Sequence, residues 1–437
     1  MDYGGAAGGA DVHGVPISAL DGPDGPPDAR FRLVAQTRTL RLPSGHEVRA
    51  LTFNGRVPGP ELHVRAGELV EVTLVNHDVD EGVSIHWHGV DLPNAEDGVS
   101  GVTQDAVPPG GSYVYRFRIK EPGTYWYHSH QHSAGEVERG LYGALVVTPR
   151  KAQQGLDVVA LAHTIAGRSL LGASDREQRR RVVAGTPVRL RLVNSADTVR
   201  RFALVGTAFR VVAIDAREKP GGRPLNGETL AVPAGGRYDL AFRMPTSPVR
   251  LAVRDEDAGL VLDPGRGVVP EARFGPDFDP ATYGAPAAPV PAHFDRHFRV
   301  DLGRRLGFFK GGMHFGWQWT INGKAFPRMP MYMLRRGETV EFSFSNHSHI
   351  AHPMHLHGHH MLVFARDGQR ITPWWSDTLE IGDGDRYDVA VVAGNPGVWM
   401  FHCHNLPHAA GGLVTHVGYE GVSTPFRMGS DSGNEPE

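Results

Sequence analysis

Trp399-Met-Phe-His402-Cys403-His404-Asn-Leu-Pro-His408-Ala-Ala-Gly-Gly-Leu413 carries the only cysteine of a 437-residue chain, with a histidine on each side and a third five residues on. In an extended strand, neighbouring side chains point to opposite faces. His402 and His404 then face one way and Cys403 the other, so a single strand presents metal ligands on both faces. Thiolate and imidazole together suit copper, and two His with one Cys and a weak axial ligand form an electron-transfer copper site. Cys403 and His408 supply two of those three ligands. The third, and partners for His402 and His404, must come from elsewhere in the chain.

Part of the segment recurs. Pro396-Gly-Val-Trp-Met-Phe-His-Cys-His404 parallels Pro122-Gly-Thr-Tyr-Trp-Tyr-His-Ser-His130. Upstream, a turn and an alternating strand appear three times: Val70-Glu-Val-Thr-Leu-Val-Asn76, Val188-Arg-Leu-Arg-Leu-Val-Asn194 and Val340-Glu-Phe-Ser-Phe-Ser-Asn346. A Gly-containing turn and strand follow each copy, at Val107–Phe117, Val232–Phe242 and Ile381–Val391. Repeats in fixed order predict repeated domains. The expected class is all-β, with three consecutive Greek-key β-sandwich domains over 28–149, 155–290 and 296–421. The Pro/Ala-rich run Ala285–Pro291 reads as the second linker. Residues 1–27 are expected to be a flexible leader and 422–437 a flexible tail.

Composition agrees with that class. Gly (55) and Pro (33) punctuate short apolar runs. A net charge of −3 offers no general attraction to nucleic acid or to an anionic membrane. One cysteine excludes an intramolecular disulfide. No apolar stretch reaches membrane-spanning length and no signal peptide follows Met1. The chain is therefore either cytoplasmic or lacks an upstream export or anchoring segment.

The copies differ in histidine. Copy one carries His86-Trp-His88 and His128-Ser-His130; copy three carries His352-Pro-Met-His355-Leu-His357 and His402-Cys-His404. Copy two has Arg201–Val205 and Leu251–Arg254 at the matching places, with none. The middle domain is thus expected to keep the fold without the chemistry, and the metal to lie between domains one and three. Eight imidazoles in four His-x-His pairs are too many for one metal. They fit three coppers, with two ligands on one and three on each of the others. His352, Cys403 and His408 then form a separate mononuclear site.

From about residue 30 to 420 the chain resembles the three-domain multicopper oxidases, the group of laccases, bilirubin oxidases and cuprous oxidases. His-Trp-His-Gly (86–89), His-Ser-His (128–130), His-Pro-Met-His-Leu-His-Gly (352–358) and His-Cys-His with its following His (402–408) carry the resemblance. It implies cupredoxin-like domains and four copper ions. His352, Cys403 and His408 would bind type 1 copper, and His86 and His355 type 2 copper. His88, His128 and His402 would bind one type 3 copper; His130, His357 and His404 the other. A donor gives up one electron near the type 1 site, the electron crosses from Cys403 to His402 or His404, and four such electrons reduce dioxygen to water. Asp97 matches the family's acidic residue beside the cluster and is expected to orient water or relay protons; the bland alternative is a turn-forming Asp-Gly. Some bacterial relatives carry Glu after the last type 1 histidine, where this chain has Ala409. Leu413 stands at the axial position, where many bacterial members have Met.

Other residues are expected to be ordinary. His132 continues the alternation of 128 and 130 without a family ligand there. His347, His349, His359 and His360 read as solvated loop histidines. Met329, Met331 and Met333 alternate as strand packing does. Arg176–Arg181 reads as a solvated edge. The leading expectation is a laccase-like oxidase of phenols and aromatic amines, sufficient as a monomer and extracytoplasmic. The alternative is a metallo-oxidase that oxidises cuprous ion in copper tolerance. A non-catalytic copper carrier or a copper nitrite reductase would not need all eight cluster histidines.

Overall fold

A computed structural model of the protein describes residues 14–151, 154–309, 314–329, 331–429 and 432–437. The three repeated strands become the frame of three β-sandwiches. Each pairs in parallel with the strand that opens its sandwich: Ala29 with Val70, Leu156 with Val188 and Arg296 with Val340. Each also pairs antiparallel with the strand that follows the glycine turn. Along Leu69–Asn76 and Thr339–Asn346, buried and part-exposed residues alternate, as a sheet with one buried face requires.

The repeated asparagine explains why the motif recurs. Asn76, Asn194 and Asn346 are fully buried at the strand ends. The Asn76 amide donates to the carbonyls of Val79 (2.9 Å) and Val107 (2.8 Å). Asn194 donates to Thr198 and Val232, and Asn346 to Ile350 and Ile381. One buried side chain thus satisfies otherwise orphaned turn carbonyls and ties two repeat elements together.

The first sandwich packs two four-stranded sheets; the second and third each pack a six-stranded sheet on a five-stranded one. A single apolar cluster, from Leu33 to Tyr419, runs through all three. No helix among the described residues is long and apolar enough to cross a membrane.

The two ends depart from expectation. Val15–Pro16 pairs in parallel with Val422–Ser423, Ile17 is fully buried, and the Gly22 N–H donates to Glu96 Oε1 (3.2 Å). Residues 14–27 are therefore held, while 1–13 lie outside the described residues. The tail is also seated. Asn434 Oδ1 accepts from the Ala106 N–H (2.9 Å), and the Glu435 carbonyl accepts from the His132 N–H (2.6 Å). Polar composition suggested mobility, but these polar groups satisfy buried donors of the first sandwich, and that holds them in place.

Candidate metal centre

Register does the first part of the work. The strand His352–Leu356 lies antiparallel to Val398–Cys403, with His355 opposite His402 and Met354 opposite Cys403. Residues of equal parity share a face. His352, Met354 and Cys403 turn into the third sandwich, whereas His355, His357 and His402 turn toward the first. There His86–His88 pairs with Gly123–His128, His86 opposite His128.

On the inward face, Cys403 Sγ lies 3.5 Å from His352 Nδ1 and 3.9 Å from His408 Nδ1, and the two nitrogens are 3.2 Å apart. His408 rides on the short helix Leu406–Ala410, capped by the Asn405 side chain, which accepts from the His408 N–H (3.3 Å). His352 Nε2 meets Ser348 Oγ at 2.7 Å, which leaves Nδ1 for the thiol. Leu413 is fully buried in the same apolar cluster as Cys403. Its carbonyl accepts from the Cys403 N–H at 3.1 Å.

On the outward face, eight imidazoles from the two sandwiches meet. His86 stacks on His357 with ring centroids 3.7 Å apart, and His88 on His355 at 3.8 Å. His86 Nε2 lies 3.5 Å from His355 Nε2, and His357 Nε2 lies 3.1 Å from His402 Nε2. The outer nitrogens are already engaged. Nδ1 of His128, His130 and His355 donates to the carbonyls of Ser129, Pro436 and Asp377 at 2.8–3.1 Å. Nδ1 of His86 and of His402 donates to the carbonyls of Asp97 (3.0 Å) and Cys403 (3.2 Å). His357 Nδ1 lies 3.0 Å from Asp97 Oδ2. Each of these rings is left with a bare Nε2 lone pair aimed at its neighbours. His88 is reversed: its Nε2 meets Thr378 Oγ1 (3.0 Å), and its Nδ1 has no partner. Both nitrogens of His404 lack partners.

Lone pairs facing one another across 3 to 4 Å repel unless a cation lies between them. The donor chemistry therefore fits metal, and nitrogen with sulfur fits copper. Burial, followed by neighbouring rings or Arg237, pushes His88, His128, His130, His355, His357, His402 and His404 well below the usual imidazole range. Burial brings His352 to about 3 and His408 to about 4. All nine stay neutral near pH 7, the form that binds metal. Burial raises the Cys403 thiol well above its usual value, so metal binding there must displace a proton.

One expected grouping is corrected. His402 comes together with His130 and His357, not with His88 and His128. His404 instead faces His88 and His128, with ring centroids at 4.8 and 5.4 Å. The register is the reason. His402 lies directly opposite His355 and diagonal to His357, whereas His404 lies beyond the paired strand, where the first sandwich approaches.

The middle sandwich contributes more than expected. Arg237 is fully buried and grips Asp377 with two hydrogen bonds, 2.7 and 2.5 Å. Asp377 Oδ1 in turn lies 3.3 Å from His88 Nε2. Gly235 comes so close that an added Cβ would sit 2.9 Å from the rings of His404 and His88. Its φ of +82° also disfavours any other residue. Neither Arg237 nor Asp377 bears a metal-ligand motif. Arg237 sits in the same Gly-x-Arg-Tyr context as the exposed Arg386, so sequence offered no signal to separate them.

The remaining histidines divide. His347 and His349 are exposed as expected. His359 and His360 are buried instead: His359 Nε2 meets Tyr419 Oη (2.7 Å), and His360 spans Asp91 (3.1 Å) and the Asp215 carbonyl (3.0 Å). Both line a cleft of about 880 Å³ between the sandwiches, together with Asp91, Arg217 and Trp375. His132 takes a left-handed backbone at φ 46° and opens a short helix. Added atoms at Gly418 would meet the sulfurs of Met331 and Met333, so these two pack over that glycine. Pro330, between Met329 and Met331, is outside the described residues.

Comparison with known proteins extends this geometry to a family. Two multicopper oxidase family models match residues 35–152 and 304–420, the sandwiches that carry the imidazoles. "Multicopper oxidase MmcO" of Mycobacterium tuberculosis is 27% identical over 445 residues, covering 86% of this chain and 84% of that protein. "Laccase-1" of Botryotinia fuckeliana is 25% identical, covering 89% and 81%. The crystal structure of a multi-copper oxidase from Pseudomonas thermotolerans is 30% identical with a TM-score of 0.74, covering 90% of this chain and 100% of that one. With the motifs, the fold and the imidazole cage in agreement, this chain belongs to the multicopper oxidases, copper-dependent oxidoreductases.

Proposed function

We propose that the protein is a laccase-like oxidase that takes single electrons from phenols or aromatic amines and delivers four of them to dioxygen. The observation that carries this reading is the pair of ligand sets on opposite faces of one strand, joined through Cys403. When bound, one type 1 copper at Cys403 supplies one-electron oxidation of the donor, and a type 2 and two type 3 coppers in the imidazole cage supply dioxygen reduction to water. His352, Cys403 and His408 hold the first. His86 and His355 hold the type 2 ion. His130, His357 and His402 hold one type 3 ion, and His88, His128 and His404 the other.

The backbone does the wiring. Cys403 is bonded directly to His402 and His404, and consecutive Cα atoms lie only about 3.8 Å apart. A covalent path therefore links the donor side to the cage. Asp97 sits behind the cage, 1% exposed, with its carboxylate 3.0 Å from His357 Nδ1 and 3.1 Å from His86 Nδ1. It is assigned the orientation of both rings and the relay of protons into the cage. Asp97→Asn is expected to slow reoxidation by dioxygen about 10–100-fold while the blue absorption stays. An unchanged stopped-flow reoxidation rate removes Asp97 from this role.

Leu413 brings no donor atom to the axial position, which favours reduced copper and a high potential. Leu413→Met should lower the potential by tens of millivolts, where about 59 mV is tenfold in a one-electron equilibrium. A redox titration that finds the same midpoint rejects the axial assignment.

Copper loading and contact with dioxygen suit an extracytoplasmic setting, and one chain holds both facing sandwiches. The deciding experiment is dioxygen uptake by the copper-loaded protein with a phenol or cuprous ion as donor. Faster uptake with phenol supports the laccase-like reading. Faster uptake with cuprous ion makes the protein a metallo-oxidase of copper tolerance.

A further inference from the structure

The strand His314–Ile321 pairs antiparallel with Arg296–Phe309, Trp319 opposite Arg304 and Trp317 opposite Leu306. Alternation places Phe315, Trp317 and Trp319 on one face of this hairpin with Arg304 and Leu306. Among the described side chains the other face carries the polar Arg305, Gln318 and Thr320, and there Arg305 Nε donates to Gln318 Oε1 (3.1 Å). Leu306, Phe315 and Trp317 are 56%, 62% and 50% exposed. A contiguous apolar face of this kind marks a place where something docks.

The inner end of the row is locked onto the metal centre. The Trp319 ring lies 4.3 Å from the His408 ring and 5.1 Å from the His352 ring. The Trp319 backbone N–H donates to the Gly411 carbonyl (3.0 Å). Gly411 leaves the room for this, because a Cβ there would sit 2.7 Å from the indole. Of the eleven ligands assigned above, His408 is 9% exposed and the other ten no more than 1%. A donor can thus approach only His408, and a row of aromatic rings leads from solvent to it. The Arg304 guanidinium lies 4.6 Å from the Trp317 ring centre, a cation–π contact that steadies the indole. The same positive charge disfavours a cationic donor on this face.

We propose that Phe315, Trp317 and Trp319 form a stacking platform that docks phenolic donors of two or more aromatic rings against His408. The proposal rests on the laccase-like reading, since it names the donors that this site prefers. Single-ring phenols reach only the Trp319 end and gain nothing from the outer rings.

The test uses copper-loaded protein and two probes that lack an oxidisable hydroxyl, 4-methoxybiphenyl and anisole, titrated by calorimetry. Phe315→Ala combined with Trp317→Ala should weaken 4-methoxybiphenyl about tenfold and anisole less than about twofold. The KM for 4-hydroxybiphenyl should rise about tenfold with kcat kept, and Trp317→Phe should restore most of the loss. Arg305→Ala, on the polar face, should change neither probe. Copper content and blue absorption verify that each variant is folded. The platform is overturned if the double variant binds 4-methoxybiphenyl within about twofold of the parent. It is equally overturned if sedimentation reveals a dimer that Trp317→Ala dissolves, because a second copy then covers the face. If binding weakens as expected while neither phenol supports dioxygen uptake, the platform is supported and the laccase-like reading is what fails.

Discussion

Arg237→Met is expected to destabilise the protein by about 3–5 kcal/mol and to lower copper occupancy of the imidazole cage. The guanidinium is fully buried and faces two carboxylates, Asp377 at 2.5 and 2.7 Å and Asp215 at 3.4 Å. Removing it leaves two acids in a dry interior with no counter-charge, and burial together with the Asp377 charge already brings Asp215 up to about 6. Asp377 would lose its anchor, and His88 its neighbour on the outer nitrogen. Denaturant unfolding measures the first effect, and copper analysis with electron paramagnetic resonance the second. A blue signal that persists while the cage empties places the damage at the cage. Adding Asp377→Asn should recover part of the stability, since it removes one stranded charge. A single variant within about 0.5 kcal/mol of the parent sinks the argument, because that is the range of surface substitutions.

Cys403→Ser is expected to cut donor oxidation on the order of a thousandfold, about 4 kcal/mol in barrier. A serine hydroxyl does not become an anion near neutral pH, so the site loses its soft anionic ligand. His352 and His408 would remain 3.2 Å apart with no thiolate between them. The eight cage imidazoles are untouched, so chemically reduced cage copper should still react with dioxygen. Blue absorption, donor turnover and single-turnover reoxidation separate these outcomes. Retained blue colour and turnover would remove Cys403 from the type 1 site.

Much of the fold was legible because it is repeated. The Asn76, Asn194 and Asn346 copies sit at equivalent strand ends and make equivalent hydrogen bonds, so one local rule written three times implied three sandwiches. The opposite facing of Cys403 and its flanking histidines was legible for a similar reason, since strand parity is a local property. The ends were misread. Residues 14–27 and 432–437 are polar and rich in Gly and Pro, yet they satisfy buried partners that only the folded chain assembles.

Taken alone, the sequence determined the all-β class and the repeat and singled out the candidate metal donors, because spacing within one strand decides which way each side chain points. It did not determine which donors meet. The exchange of His402 and His404 between groups depends on the pairing of His355 with His402 and on the angle at which the first sandwich arrives. Nor did it distinguish Arg237 from Arg386. Both follow a glycine-containing turn and precede a tyrosine, but one is buried beside Asp377 and the other faces solvent. The Trp319 contact with His408 is of the same kind, joining residues 89 positions apart. Contacts between sheets and between sandwiches are set by the packing of whole sheets, and no local pattern records them.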